Sequence, residues 1–297
     1  MDFLKPGDWE LASSLSIRPR RKVSGFSAGE QRSPSLGGGI EFADYREYAP
    51  GDDARRVDWS VFMRSRRLMI RLAAEEKDLT LVVVLDASAS MDHGQPGKLD
   101  YARRLACILA GAAVNTGNRA ALAVLRPGFV EALPPERGKL GFQELVRLVG
   151  SVRASPGRSG AREETTGAAA ARQFGARYGR KCVAVILSDF FQSDWEDAVA
   201  AYAASGAEIL ALQVLSPDEL EPELVGEAVL ADREDGQETP LHLDASVMAR
   251  YAAELDAHTA AVASAFRRSG AAWALAPSDG DPAVLFKATL AGTSFIC

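Results

Sequence analysis

The sequence predicts an α/β fold: a doubly wound, mostly parallel sheet with a small β-rich appendage at its N-terminal end. Three observations predict it. The runs Leu79–Leu85, Cys182–Leu187 and Glu208–Leu215 are apolar nearly throughout, and two of them are rich in β-branched residues. Strands covered by helices on both faces read this way. Segments of helical composition separate these runs, and repeated strand–helix alternation implies parallel crossover units. Residues 1–75 lack the alternation, so the chain divides into an irregular arm with a β-rich appendage over 1–75 and the α/β domain over 76–297.

Taken in order, residues 1 to about 40 read as irregular, with the basic cluster Arg18-Pro19-Arg20-Arg21-Lys22 and the glycines Gly37-Gly38-Gly39. Ile40–Tyr48 and Leu68–Leu72 have strand-like patterns, and Pro50-Gly51-Asp52-Asp53 between them reads as a turn. Around that turn, Arg46, Arg55, Arg56, Asp52, Asp53 and Asp58 are expected to form a charge-assisted hydrogen-bond network, with Trp59 supplying buried apolar area. Beyond Leu79–Leu85 come a helix over Leu99–Val114, a strand over Ala120–Leu125 and a hairpin partner over Phe129–Leu133. Helices follow over Phe142–Val152 and Gly167–Tyr178, and another over Trp195–Ala204 after the Cys182–Leu187 strand. Past Glu208–Leu215 the pattern gives a short strand over Val229–Arg233, a long helix over Ser246–Arg268, a strand over Trp273–Ala276 and a closing helix over Pro282–Leu290.

The composition excludes several classes of function. A net charge of −6 gives nucleic-acid binding no electrostatic help. Cys107, Cys182 and Cys297 lie far apart, without the paired spacing of a zinc site or a disulfide framework. No apolar run spans a bilayer and no secretory signal opens the chain, so a cytoplasmic protein is expected. A Gly-x-x-x-x-Gly-Lys phosphate loop does not occur. His93, His242 and His258 have no ligand spacing and are read as surface or packing residues.

In doubly wound sheets ligands bind beyond the carboxyl ends of the strands. The first buried strand ends in Asp86-Ala87-Ser88-Ala89-Ser90, and the second ends in Ser188-Asp189. Alternate residues of an extended segment point the same way, so Asp86, Ser88 and Ser90 can converge if the loop curls. Asp189 belongs on the same sheet edge. Glu163-Glu164-Thr165-Thr166-Gly167 precedes a helix, and Thr165 or Thr166 offers either an N-cap or a further hydroxyl ligand. These are hard oxygen donors, suited to Mg²⁺ (or Mn²⁺ or Ca²⁺). So few protein ligands leave coordination positions open, and a carboxylate from a partner protein can fill one.

The Asp-x-Ser-x-Ser loop, the threonine pair and the later aspartate resemble the metal-ion-dependent adhesion site of von Willebrand factor A domains. The segment Glu41 to Trp59, with Arg46-x-Tyr48, Gly51-Asp52 and Asp58-Trp59, resembles the signature of bacterial domain-of-unknown-function family fifty-eight. Members of that family join such a segment to a von Willebrand factor A-like domain. The resemblance implies a non-enzymatic protein-binding module that works with a MoxR-type AAA+ ATPase in chaperone-like assembly or activation of other proteins. One departure concerns the threonine loop, where Ala161-Arg162-Glu163-Glu164 stands in place of the glycines frequent in the family. The alternative is a metal-dependent hydrolase or phosphotransferase using the same carboxylates. Against it, no lysine or histidine is plainly placed to act as clamp or acid.

Overall fold

The computed structural model describes residues 3–17, 42–73, 79–126, 129–155, 167–179, 182–222, 226–231 and 237–289. Its residues form two compact units, one centred on the α/β domain and one within residues 23–78.

The smaller unit contains β1 (Phe42–Glu47), a 3₁₀ turn (Ala54–Arg56), α2 (Trp59–Ser65) and β2 (Met69–Ala73). The two strands pair antiparallel, Tyr45 opposite Arg71 and Glu47 opposite Met69. The expected charge network is partly present and serves turns and caps. Arg46 grips Asp52 through both terminal nitrogens at 2.8 and 2.9 Å, and Asp52 also accepts from the Ala49 amide. Asp53 caps the 3₁₀ turn, and Asp58 caps α2 by accepting from the amides of Ser60 and Val61. The other Asp58 oxygen accepts the Tyr45 hydroxyl at 2.7 Å, tying strand to helix. Trp59 corrects the expectation of burial: it is 61% exposed, as is the neighbouring helix position Met63 at 75%. The Asp58 cap places residue 59 at the first position of α2, where its side chain stays exposed.

The larger unit opens with α1 (Asp8–Ser14), where the sequence had read as irregular. Seven residues are too few for a helix to persist by propensity alone. Packing supplies the stability. Leu11, Ala12, Leu15 and Ile17 join the main core, and Gly111 in α3 (Lys98–Asn115) leaves room for Ala12. The carboxylate of Asp8, 2% exposed, accepts both Nε and Nη2 of Arg104 at 2.7–3.0 Å. The first helix therefore belongs with the α/β domain and not with the appendage.

The remaining elements follow in order: β3 (Thr80–Asp86), β4 (Arg119–Arg126), β5 (Phe129–Glu136), α4 (Gly138–Ser151), α5 (Gly167–Tyr178), β6 (Cys182–Ser188), α6 (Trp195–Ser205), β7 (Glu208–Leu215), α7 (Pro217–Leu220), β8 (Gly226–Ala231), β9 (Glu238–Leu243), α8 (Ala245–Arg268), β10 (Ala272–Pro277) and α9 (Pro282–Val284). Six strands form one sheet in the order β10-β7-β6-β3-β4-β5. All neighbours are parallel except β4 and β5. This is the order of doubly wound sheets, with the reversal at β3. The expected fold class is present.

β3 and β6 are central and buried along almost their whole length, as their unbroken apolar sequences require. Alternate side chains feed two cores. Leu81, Val83 and Leu85 meet α3 and its neighbours, while Val82 and Val84 meet Phe174 of α5 and Tyr202 of α6. β5 runs past its expected end through Pro134 and Pro135, which a strand at the end of the sheet tolerates where its register with β4 shifts. A separate hairpin, β8 with β9, was only half anticipated: β8 lies near the expected 229–233 strand, whose end falls outside the described residues. The closing helix is a short turn continuing as a π-type turn over Leu285–Thr289. Among the described residues no helix is long and apolar enough to cross a membrane.

The docking of α1 makes a testable demand. Replacing Arg104 by Met leaves the buried Asp8 carboxylate without its cation, which should cost about 3 kcal/mol of unfolding free energy. Urea denaturation would measure it, and a loss below about 1 kcal/mol would mean that apolar contacts alone hold the helix.

Candidate functional site

β3 and β6 are parallel neighbours in register, Leu85 opposite Leu187. Their carboxyl ends therefore deliver Asp86 and Ser188-Asp189 to the same place on the sheet rim. The Ser188 hydroxyl donates to Asp86 Oδ2 at 2.5 Å. The other oxygen of Asp86 accepts from the Ser88 amide at 2.8 Å, which curls the chain as it leaves the strand. A 3₁₀ turn over Ala89–Met91 completes the curl and brings Ser88 Oγ to 3.1 Å from Ser90 Oγ. Asp86, Ser88 and Ser90 thus gather at one point, as their alternation suggests. Asp86 and Asp189 are buried, while Ser88 and Ser90 are half-exposed, so the hydroxyls form the open side of the cluster.

Burial, followed by the charge of Asp189, pushes the Asp86 carboxyl up to about 6 from its ordinary 3.8, against the lowering effect of the Ser188 and Ser88 hydrogen bonds. Two carboxylates held this close in a dry rim call for positive charge. One source is present and was not foreseen. Lys98, fully buried at the first position of α3, donates to Asp189 Oδ2 at 2.8 Å and to Glu219 Oε1 at 2.5 Å. Its Nζ also lies 5.2 Å from the centroid of the Phe191 ring. The sequence placed no lysine here as a clamp or acid, and a lysine buried between two carboxylates was not anticipated. The sequence did hold a signal. A cation in the first turn of a helix opposes the helix dipole and needs an acidic partner to offset it.

Asp189 does not cap the helix after it. It accepts the Phe191 amide at 3.2 Å, across Phe190, which has a left-handed backbone with φ of 59°. Such a conformation is costly for a bulky residue and needs outside support. Phe190 gets it from burial against Phe266, 5.2 Å between ring centroids, and from its amide bond to Ser188 Oγ at 3.0 Å. Below the loop, Gln213 of β7 donates to the Asp189 carbonyl at 3.1 Å. The aromatic residues divide accordingly: Phe190 packs inward, whereas Phe191 is 38% exposed at the rim. His258 packs against Phe191 and Trp195 and is a packing residue, while His242 is exposed.

Thr165 and Thr166 lie outside the described residues. The helix they precede is held at its start by Asp194, whose carboxylate accepts the Gly167 and Ala168 amides at 3.0 and 2.8 Å. Asp194 belongs to the same β6–α6 connection as Asp189, so the start of α5 is tied to the rim.

Among the described residues no three His, Cys, Asp or Glu side chains form a group able to hold a metal ion. The donors offered are one carboxylate and two hydroxyls, with a second carboxylate beside them. That hard, oxygen-only and partly open set fits a small divalent cation that keeps water ligands, and it does not fit a soft or tightly caged metal.

The model of the family described as "Protein of unknown function DUF58" matches residues 44–261. The chain belongs to that family. Uncharacterized protein Rv1480 of Mycobacterium tuberculosis is 30% identical to this DUF58 chain over 261 residues, covering 87% of the chain and 81% of the relative. Uncharacterized protein Mb1516 of Mycobacterium bovis matches to the same extent. Among solved structures, an aerotolerance-related membrane protein from Bacteroides fragilis aligns with a TM-score of 0.46 and 18% identity, over 73% of this chain and 98% of that one. The conserved hypothetical protein BatB from Bacteroides thetaiotaomicron aligns with a TM-score of 0.38 and 17% identity, over 65% and 98%. The matched family segment includes β3, β6 and the whole Asp86–Asp189 cluster.

The shifted Asp86 carboxyl gives a pH signature with a definite sign. Between 3.8 and about 6 the folded state holds a proton that the unfolded chain has released. Asp86 therefore costs stability above about pH 6, and that cost is relieved as the pH falls. In a chelator, the stability of wild type relative to Asp86→Asn should rise by on the order of 1 kcal/mol between pH 7 and pH 5. Denaturant titrations at the two pH values would check it, and a flat difference would place Asp86 in a more polar setting.

Proposed function

We propose that this DUF58 protein is a non-enzymatic binding module that grips a partner protein through a divalent cation, Mg²⁺ by preference of donor type, held at a von Willebrand factor A-like adhesion site. The convergence of Asp86, Ser88 and Ser90 beside Asp189, at the carboxyl ends of two adjacent central strands, carries the reading. Asp86, Ser88 and Ser90 would hold the ion, with Asp189 balancing its charge. The bound ion supplies an electrophilic point that a partner's carboxylate can approach. The half-exposed serines leave that approach open. The threonine pair Thr165 and Thr166 completes the donor set in the family resemblance, and the partner it implies is a MoxR-type AAA+ ATPase.

Lys98 does not favour the hydrolase alternative. A clamp for a transferring phosphoryl group must face the substrate, and this ammonium is fully enclosed and committed to two carboxylates.

The test is association of the purified chain with a purified MoxR-type ATPase in Mg²⁺ and in a chelator. Binding should fall at least tenfold on chelation, and Asp86→Ala should bind equally weakly in both conditions while its circular dichroism stays that of the wild type. Full binding by Asp86→Ala in chelator would defeat the proposal.

A further inference from the structure

Lys98, Asp189 and Glu219 join three connections at the sheet rim. Lys98 begins the helix after the β3 loop, Asp189 follows β6, and Glu219 lies in α7 directly after β7. The lysine and aspartate side chains are fully buried and that of Glu219 is 12% exposed. Glu219 is itself fixed by a capping box: its second carboxylate oxygen accepts from the Ser216 amide at 2.8 Å, and its own amide donates to Ser216 Oγ at 3.3 Å. Tyr251 of α8 donates its hydroxyl to the Glu219 carbonyl at 2.9 Å. The glutamate is a rigid anchor, and the lysine is the long, adjustable member of the trio.

We infer that Lys98 is a positioning residue of the cation site, an internal cation that competes with the incoming divalent ion for Asp189 and is retained by Glu219 when the ion takes that carboxylate. The inference rests on the reading of Asp86, Ser88 and Ser90 as a cation site. Charge counting supports it. Without the ion, three carboxylates share one ammonium, and Asp86 is the one the ammonium does not touch. With the ion, Asp86 and Asp189 balance two positive charges, while Lys98 and Glu219 balance each other. Three carboxylates against one ammonium leave an excess of two negative charges, which a divalent ion cancels. The exchange needs only a small movement, because the same nitrogen already bonds both acids.

The consequence is a site whose affinity is held down by its own lysine and whose fold does not need the ion. A lysine with a merely structural role gives a different pattern, because loosening the rim by any route weakens cation binding. The competition assigns opposite signs to two substitutions. Lys98→Gln removes the competitor, so Mn²⁺ should bind about tenfold more tightly than to wild type, and Mn²⁺ should raise the melting temperature of the variant more than that of the wild type. Glu219→Gln removes the alternative seat of the ammonium, so Mn²⁺ should bind about tenfold more weakly. Calorimetric titration of the full chain with Mn²⁺, paired with thermal unfolding, reads both. If wild type binds Mn²⁺ and both variants bind it more weakly, or with unchanged affinity, the competition is overturned while the cation site stands. If neither wild type nor Lys98→Gln binds Mn²⁺, the cation reading itself falls. Should Lys98→Gln fail to fold, the result for Glu219→Gln decides, since that variant keeps the Lys98–Asp189 pair: equal or tighter binding overturns the proposal.

Discussion

Two carboxylates side by side at the ends of adjacent buried strands set the constraint on which this rim is built. Parallel pairing of β3 with β6 fixes them there, and the register leaves no freedom to separate them. Every feature around them answers the repulsion. Hydroxyl and amide donors from Ser188 and Ser88 cover both oxygens of Asp86. An ammonium from the next helix covers Asp189. A strained phenylalanine turns the chain so that Asp189 accepts a further amide. Each device alone is modest. Together they hold like charges in a place where removing any single donor exposes a buried anion, which is the costly case.

The surrounding fold makes the arrangement affordable. The central strands are covered on both faces, so the sheet is rigid where the loops depart. α3 is buried along most of its length and places Lys98 at a fixed distance from the rim. On the outer face of α3, α1 covers small residues and brings its own buried acid, paired with Arg104. The same solution recurs in both places: a buried carboxylate is accepted because a long basic side chain from α3 reaches it.

Much of this was legible in the sequence, for identifiable reasons. The buried strands announce themselves because full coverage on both faces demands unbroken apolar runs, and their parallel pairing follows from the alternation of strands and helices. Asp86, Ser88, Ser90 and Asp189 were legible because the rule that ligands gather beyond strand ends singles out the residues just after Leu85 and Leu187. What escaped depends on contacts between residues distant in sequence. Ser188 and Glu219 look like ordinary strand-end and turn residues until Asp86 and Lys98 are beside them, 102 and 121 positions away. The helix Asp8–Ser14 escaped because its stability lies in Arg104 and Gly111 and not in its own seven residues. Trp59 misled because size argues for burial only where a surface waits to receive it, and α2 turns that position outward.

A basic group in the first turn of a helix is the residue that links these observations. Lys98 stands where the helix dipole disfavours a cation and where burial disfavours any charge, and burial is the strongest influence acting to lower its basicity. The two acids outweigh burial, so the lysine stays charged and its basicity is raised. A position that opposes both local preferences is sustained only by long-range partners, and here those partners come from the ends of two other strands, β6 and β7. The rim is therefore one electrostatic unit. A change at the Asp86 end reaches the β7–α7 connection through Asp189 and Lys98, without any part of the sheet having to move.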